Sequence, residues 1–407
     1  MGSLLQTTQS WSSTKATRKY MLFGLLLVVA FTLHLTVSHV KRGSEDFKLS
    51  MPSMPSPPKL GRFSTQRDNL GDIYNRTLGF QKVFVMNLPE RSDKADTMLL
   101  QAELTNFTLE FVDGVLGATV SPKALPLTFE HDAGTIGCWR AHMNIWRKMV
   151  EENIETALVL EDDADWDVSI QAQFVELARG SRFLLDTGSA TPESPYGDGW
   201  SLLWVGHCSS EANKTDPRRW VIPHDPTVPP RGSRWHFAGH NMSRWADGPN
   251  PDPQTRVVYV QEFAFCTSGY AVTRRAAQMM LYKLGMVPFS ASVDGGMGNL
   301  CKDTSLKDFR CIAPFPRLIG KSTPPGPVDR ASDIQTQNSN STTIRWKPES
   351  ENVMFSVRQN LLALLNGETT FKSYFPNPSG DELTMEQITA FRGHPEYMDQ
   401  PPPLLQG

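Results

Sequence analysis

The stretch Ala157–Asp167, ALVLEDDADWD, sets five carboxylates directly behind an apolar run: Glu161, Asp162, Asp163, Asp165 and Asp167. Carboxylates this close repel one another unless a cation or water lies between them. Three occupants fit: a divalent metal, a basic partner, or solvent around an exposed turn. Asp163 and Asp165 form a D-x-D, and Glu161 and Asp163 form an equivalent pair one step earlier. Alternate residues of an extended chain face the same way, so either pair can reach one ion. Mg²⁺ and Mn²⁺ favour such carboxylates together with phosphate oxygens.

Four other places carry chemistry-bearing side chains. Asn87 and Arg91 follow the apolar run KVFVMNL, and Asp113 sits in VDG. His142 lies in GTIGCWRAHMNIW and Asp294 in PFSASVDGGMG. Each has a plain structural reading as well. These are a turn Asn, a surface Arg, turn chemistry at Asp113, a hydrogen-bonded core imidazole, and a helix cap at Asp294.

Such residues meet only if several chain segments end at one place. Lys82–Leu88 reads as a buried strand, Asp93–Leu104 as a helix and Thr108–Val115 as a second strand. That order predicts a right-handed parallel unit. Gly134–Asn153 is a strong helix with Cys138, His142, Ile145 and Met149 on one face. ALVL is a short, wholly apolar strand of the kind found in sheets covered on both sides. The acids then stand just past the carboxyl end of a central strand, where open α/β sheets bind ligands. Downstream, Trp200–His207 predicts another strand and Ser209–Pro253 an irregular excursion. Arg256–Thr273 predicts two strands, and Arg274–Gly285 a helix. The expected fold class is α/β with a mostly parallel central sheet.

The chain has 407 residues and a net charge of −3. Its charges are mixed, so nucleic acid is not an expected partner. Met21–Val40 holds no Lys, Arg, Asp or Glu and is long enough to span a bilayer, and Lys15, Arg18 and Lys19 precede it. Ser50–Gly61 is rich in Pro and Ser and reads as a stem. The expected layout is a cytosolic tail (1–19), a transmembrane signal anchor (20–40) and a stem (41–79). A globular domain (80–320) and a partly disordered C-terminal extension (321–407) follow. That is the layout of a single-pass type II membrane protein with its main body in a lumen. Sequons at Asn75, Asn106, Asn213, Asn241 and Asn340 fit a lumenal side, as does a short loop that Cys301 and Cys311 could close.

VFVMNLPERSDK, FVDGV, GTIGCWRAHMNIW and ALVLEDDADW come in the order seen in glycosyltransferase family 25. CTSGYAVTRRAAQMML and PFSASVDGGMGNL resemble its C-terminal half, so the likeness covers residues 80–320. Ala141 stands where the family commonly has Ser. The resemblance implies an inverting, metal-dependent sugar transfer on a GT-A-like fold, in the Golgi or endoplasmic reticulum membrane. A nucleotide sugar, UDP-galactose by family default, would bind at the strand ends against Asn87, Arg91, Asp113, Glu161 and Asp162. Mn²⁺ or Mg²⁺ would join its diphosphate to Asp163 and Asp165 and act as a Lewis acid. Inversion needs a base for the acceptor hydroxyl. Asp294 is the candidate, by a match with two residues inserted, and His142 is a second catalytic candidate through its place in the motif. The acceptor would be a glycan, glycoprotein or glycolipid. One rival is a lumenal glycan-binding or scaffolding protein that keeps the fold without turnover. Another is a metal-dependent phosphoesterase, for which His207 is the obvious strand-end histidine.

Overall fold

The computed structural model describes residues 68–188, 190–234, 240–327, 332–334 and 343–400. Lys82–Asn87 (β1), Ser92–Leu104 (α1) and Glu110–Asp113 (β2) form the expected parallel unit, with Asn87 in register with Asp113. Ala133–Glu151 (α2) follows, capped by the Asp132 carboxylate, which accepts from the Thr135 amide at 3.0 Å. Gly137 is needed in its first turns. A Cβ there would stand 2.2 Å from the Val115 carbonyl oxygen, so α2 is pressed onto the chain leaving β2. Thr156–Glu161 (β3) lies parallel to β1 on its other side.

The later strands are Ala164–Trp166 (β4), Leu202–Leu203 (β5), Ser209–Ala212 (β6), Arg218–Ile222 (β7), Arg256–Phe265 (β8), Gly269–Thr273 (β9), Cys311–Phe315 (β10) and Ile319–Thr323 (β11). The main sheet runs His394–Tyr397, β7, β8, β10, β5, β9, β3, β1, β2, with β6 on β8. β9 is antiparallel to both β3 and β5, and β8 is antiparallel to β6, β7 and β10. The expected mostly parallel sheet is therefore corrected to a mixed one. A wholly apolar strand reports that both its faces are covered, not which way it runs. β9 is as buried as β3 yet runs the other way.

The same expectation set a transmembrane helix ahead of this fold. None is shown: no helix among the described residues is long and apolar enough to cross a membrane. Residues 20–40 lie outside the described residues.

Side chains alternate along β1 and β3 and so feed two cores, one on each face. Val83, Val85, Leu158 and Leu160 share one with Met98 of α1 and with Phe174 and Leu177 of Ile170–Leu184 (α3). Phe84, Met86 and Val159 share the other with Trp139, Ile145 and Trp146 of α2. Met280 of Arg274–Gly285 (α4) and Met297 of Val293–Lys302 (α5) complete it. Each large apolar side chain buried this way contributes about 1.5–3 kcal/mol.

The C-terminal stretch belongs to the same body. Val353, Met354, Phe355 and Val357 are fully buried, and His394–Tyr397 is an edge strand of the main sheet. Glu349–Glu351 pairs with β11, which pairs in turn with β4. Disulfides Cys208–Cys266 and Cys301–Cys311 brace the β6–β10 half.

Candidate active site

Glu161 ends β3, and Asp162 and Asp163 form a turn into β4. β4 does not prolong β3; it joins the second sheet beside β11. This turn breaks the alternation that the D-x-D reading assumed. Asp163 is 7% exposed, with Oδ2 3.3 Å from Lys321 Nζ and a buried Oδ1 that has no hydrogen-bond partner. Asp165 is fully buried, and its Oδ2 accepts from Ser350 Oγ at 2.7 Å and Ser356 Oγ at 2.5 Å. Its Oδ1 accepts from the Trp166 amide at 2.9 Å. Both oxygens of Asp165 are thus engaged by the chain itself.

Glu161 Oε1 accepts from Thr267 Oγ1 at 2.6 Å. Burial first, and the Asp163 charge second, push its carboxyl up to about 7. Asp162 is tied down by Lys94 Nζ at 2.8 Å and by Asn87 Nδ2 at 3.0 Å. Burial raises the Asp162 pKa against the pull of Lys94. Arg91 bonds Asp93 through Nε and both oxygens of Asp333 through Nη1. Asp113 is exposed at the end of β2, two strands from Glu161. Asn87, Asp162 and Glu161 therefore meet at the carboxyl ends of β1 and β3, with Asp113 farther along the same edge.

His142 is fully buried on α2, with Nδ1 2.9 Å from the Tyr270 hydroxyl and Nε2 without a partner. Burial lowers its pKa to about 4, and Asp294 is the charge that opposes the shift. At ordinary pH it is a neutral imidazole beneath the site. Asp294 stands in the first turn of α5. Its Oδ2 accepts from the Cys266 amide at 2.9 Å. Its Oδ1 accepts from Ser292 Oγ at 2.5 Å and the Gly295 amide at 2.8 Å. Cys266 has φ +64°, a left-handed conformation costly for a residue with a Cβ, and the disulfide to Cys208 fixes it. Thr267, which holds Glu161, is the next residue.

Sequence reasoning missed the cations. Lys94, Lys321, Arg317 and Arg358 surround the acids. Asp163 is the main cause of a raised Lys321 pKa, while burial lowers Arg317 to about 10. Periodicity carries no signal for them, because each comes from a segment distant in sequence. The Trp- and Pro-rich stretch from Arg218 to Pro253 uses its described indoles internally. Trp220 donates to Glu176 and Trp245 to Glu396.

Among the described residues no group of three or more His, Cys, Asp or Glu could hold a metal. Glu161 and Asp163, with one orphaned buried oxygen between them, fit a divalent ion that takes its other ligands from substrate oxygens.

A family profile described as "Glycosyltransferase family 25 (LPS biosynthesis protein)" matches residues 80–180, from the approach to β1 through α3. Procollagen galactosyltransferase 2 of Homo sapiens is 30% identical over 122 residues, 26% of this chain and 19% of that protein. Procollagen galactosyltransferase 1-A of Xenopus laevis is 21% identical over 252 residues, 58% of this chain and 33% of that protein. A Bos taurus protein named "Probable inactive glycosyltransferase 25 family member 3" is 26% identical over 118 residues, 25% of this chain and 19% of that protein. The chain spans a fifth to a third of the length of these relatives. The resemblance to glycosyltransferase family 25 read from the sequence therefore holds, carried by residues 80–180 and by relatives named as procollagen galactosyltransferases and as a glycosyltransferase 25 family member.

Proposed function

We propose that this chain transfers a hexose from a nucleotide sugar to a glycan or protein hydroxyl, with inversion at the transferred carbon. Galactose is the first candidate, since two of the three relatives above are named procollagen galactosyltransferases. The observation that carries the reading is the Glu161–Asp163 pair. At the carboxyl end of β3, inside the segment that matches the family 25 profile, Asp163 Oδ1 is buried without a partner beside Glu161, while Asp162 and Asp165 are committed to the chain.

In this reading Asn87 and Asp113 line the nucleoside side, and Asp162 keeps Asn87 in place. Glu161 and Asp163 would hold a Mn²⁺ or Mg²⁺ ion, which when bound supplies Lewis-acid stabilisation of the departing diphosphate. Thr267 orients Glu161. Asp294 takes the proton of the acceptor hydroxyl as that oxygen attacks; its three donors fix its direction. His142, buried and neutral, positions Tyr270 and the floor of the site. Two disulfides and surface sequons at Asn75, Asn106 and Asn241 support a secretory-pathway setting.

One observation favours a second reading, a glycan-binding protein without turnover: the Lys321 ammonium already sits against Asp163. A screen of UDP- and GDP-sugars, with and without Mn²⁺, separates the two. Metal-stimulated release of the nucleoside diphosphate, greatest with UDP-galactose, is the expected result. Binding of glycans with no donor consumed would favour the second reading.

A further inference from the structure

We propose that Arg317 and Lys321 form a cationic clamp for a diphosphate, a role that rests on the transferase reading and names the groups that receive the donor's phosphates. Arg317 lies between β10 and β11 and is 5% exposed. Its Nη1 donates to the His207 carbonyl at 3.2 Å, while Nε and Nη2 have no hydrogen-bond partner. Its ion-pair neighbour is Glu351 Oε2, 3.6 Å from Nη2 and beyond hydrogen-bond reach. A guanidinium carries five N–H donors, and leaving several of them buried and unmet is costly.

Lys321 lies four residues on, in β11, with Nζ 3.3 Å from Asp163 Oδ2. Asp163, Glu161 and Glu351 are the charges that act on both cations. An orphaned donor set on Arg317 and an orphaned acceptor on Asp163 thus flank the same acids. A diphosphate carrying a divalent ion satisfies both: its oxygens meet the guanidinium and its cation meets the carboxylate. Arginine suits this because its planar fork matches two phosphate oxygens, and lysine adds a mobile point charge.

The backbone holds the two side chains in place before any ligand arrives. The Leu318 and Ile319 amides both donate to the Val205 carbonyl at 2.9 Å, and Lys321 is in register with Ala164. The Ser322 amide donates to the Asp163 carbonyl at 2.8 Å, so the cationic strand and the acidic turn are fastened together.

The test is calorimetric titration of the full-length protein with Mn²⁺-pyrophosphate, Mn²⁺-UDP and uridine. The variants are Lys321→Gln, Arg317→Gln and the charge-keeping Arg317→Lys, each checked for folding by melting temperature. Loss of a charged hydrogen bond predicts that UDP and pyrophosphate bind about 10–100-fold more weakly in Lys321→Gln and Arg317→Lys, while uridine affinity is unchanged. Arg317→Gln should lose more. Wild-type protein that ignores pyrophosphate overturns the clamp. So does UDP affinity within about twofold of wild type in folded Lys321→Gln and Arg317→Lys. Pyrophosphate capture through this pair by a protein that consumes no nucleotide sugar would keep the clamp and discard the transferase. Sugar transfer that survives both variants with donor affinity intact would do the reverse.

Discussion

The two halves of the candidate site are built differently. On the β1–β3 side, Asn87, Asp113 and Glu161 each end a parallel strand, and Asp162 follows at once. Their places follow from strand length alone. On the β8–β11 side, Thr267, Asp294, Arg317 and Lys321 come from a turn, a helix start, a connection and a strand. There long-range bonds and the Cys208–Cys266 disulfide set the geometry. The first half is legible as motif and matches the family profile; the second lies outside that match. A site assembled this way takes its ligand shelf from a simple repeat of local structure. Its chemistry comes from contacts that only the folded chain makes.

The largest expected effect tests the second half. Asp294→Asn should lower kcat by about 10²–10⁴-fold with donor affinity nearly unchanged. A parallel fall in donor affinity would make Asp294 a donor or ion ligand. A drop in melting temperature with kcat intact would reduce it to the cap of α5.

Asp163 and Asp165 sharpen the contrast within one motif. Asp163→Asn should cost about 10²–10³-fold in kcat/KM and abolish the response to Mn²⁺, with little change in melting temperature. Asp165→Ala should instead destabilise the fold by about 2–4 kcal/mol, because two serine hydroxyls and an amide lose their buried acceptor. Chemical denaturation read beside kinetics checks both, and a reversal of the two patterns would mean that the turn was misassigned.

The disulfides give a third comparison. Their loops span 58 and 10 residues. Chain entropy then predicts losses of about 4 kcal/mol for Cys208→Ser/Cys266→Ser and about 3 kcal/mol for Cys301→Ser/Cys311→Ser. Only the first pair should also lower kcat, since Cys266 supplies the amide that holds Asp294. Equal kinetics in both double variants would show that the bridge is structural alone.

The smallest effect is in pH. Burial brings His142 and His207 to about 4, below the ordinary 6.5. As pH falls, the unfolded chain takes up these protons first. The stability these two histidines contribute is therefore complete above about pH 6.5 and is lost as pH drops toward 4, by something on the order of 1–3 kcal/mol per histidine. His207→Gln keeps a donor for the Pro314 carbonyl and should flatten this slope in urea titrations. An unchanged slope would exclude His207 as a contributor.

Much of the frame could be read without coordinates. The apolar run of β3, the face of α2 and the order β1, α1, β2 follow from periodicities of two and 3.6, which any chain must obey to bury one side of an element. Sheet direction could not be read that way, since β9 satisfies the same burial pattern as a parallel strand. The D-x-D pairing failed as geometry for a related reason. It assumed extended backbone at Asp163, where a turn hands the chain to another sheet.

The sequence by itself determined that acids crowd the end of a buried strand, and that the motifs around them resemble glycosyltransferase family 25. Local spacing and composition suffice for that. Tertiary structure alone decided which acids stay open and which are consumed. Ser350 and Ser356 close Asp165 from 185 and 191 residues away, and Lys94 closes Asp162 from 68. Hydrogen bonds and charges act through space over a few ångströms, so a carboxylate's fate is set by the neighbours the fold brings to it rather than by its neighbours in the chain.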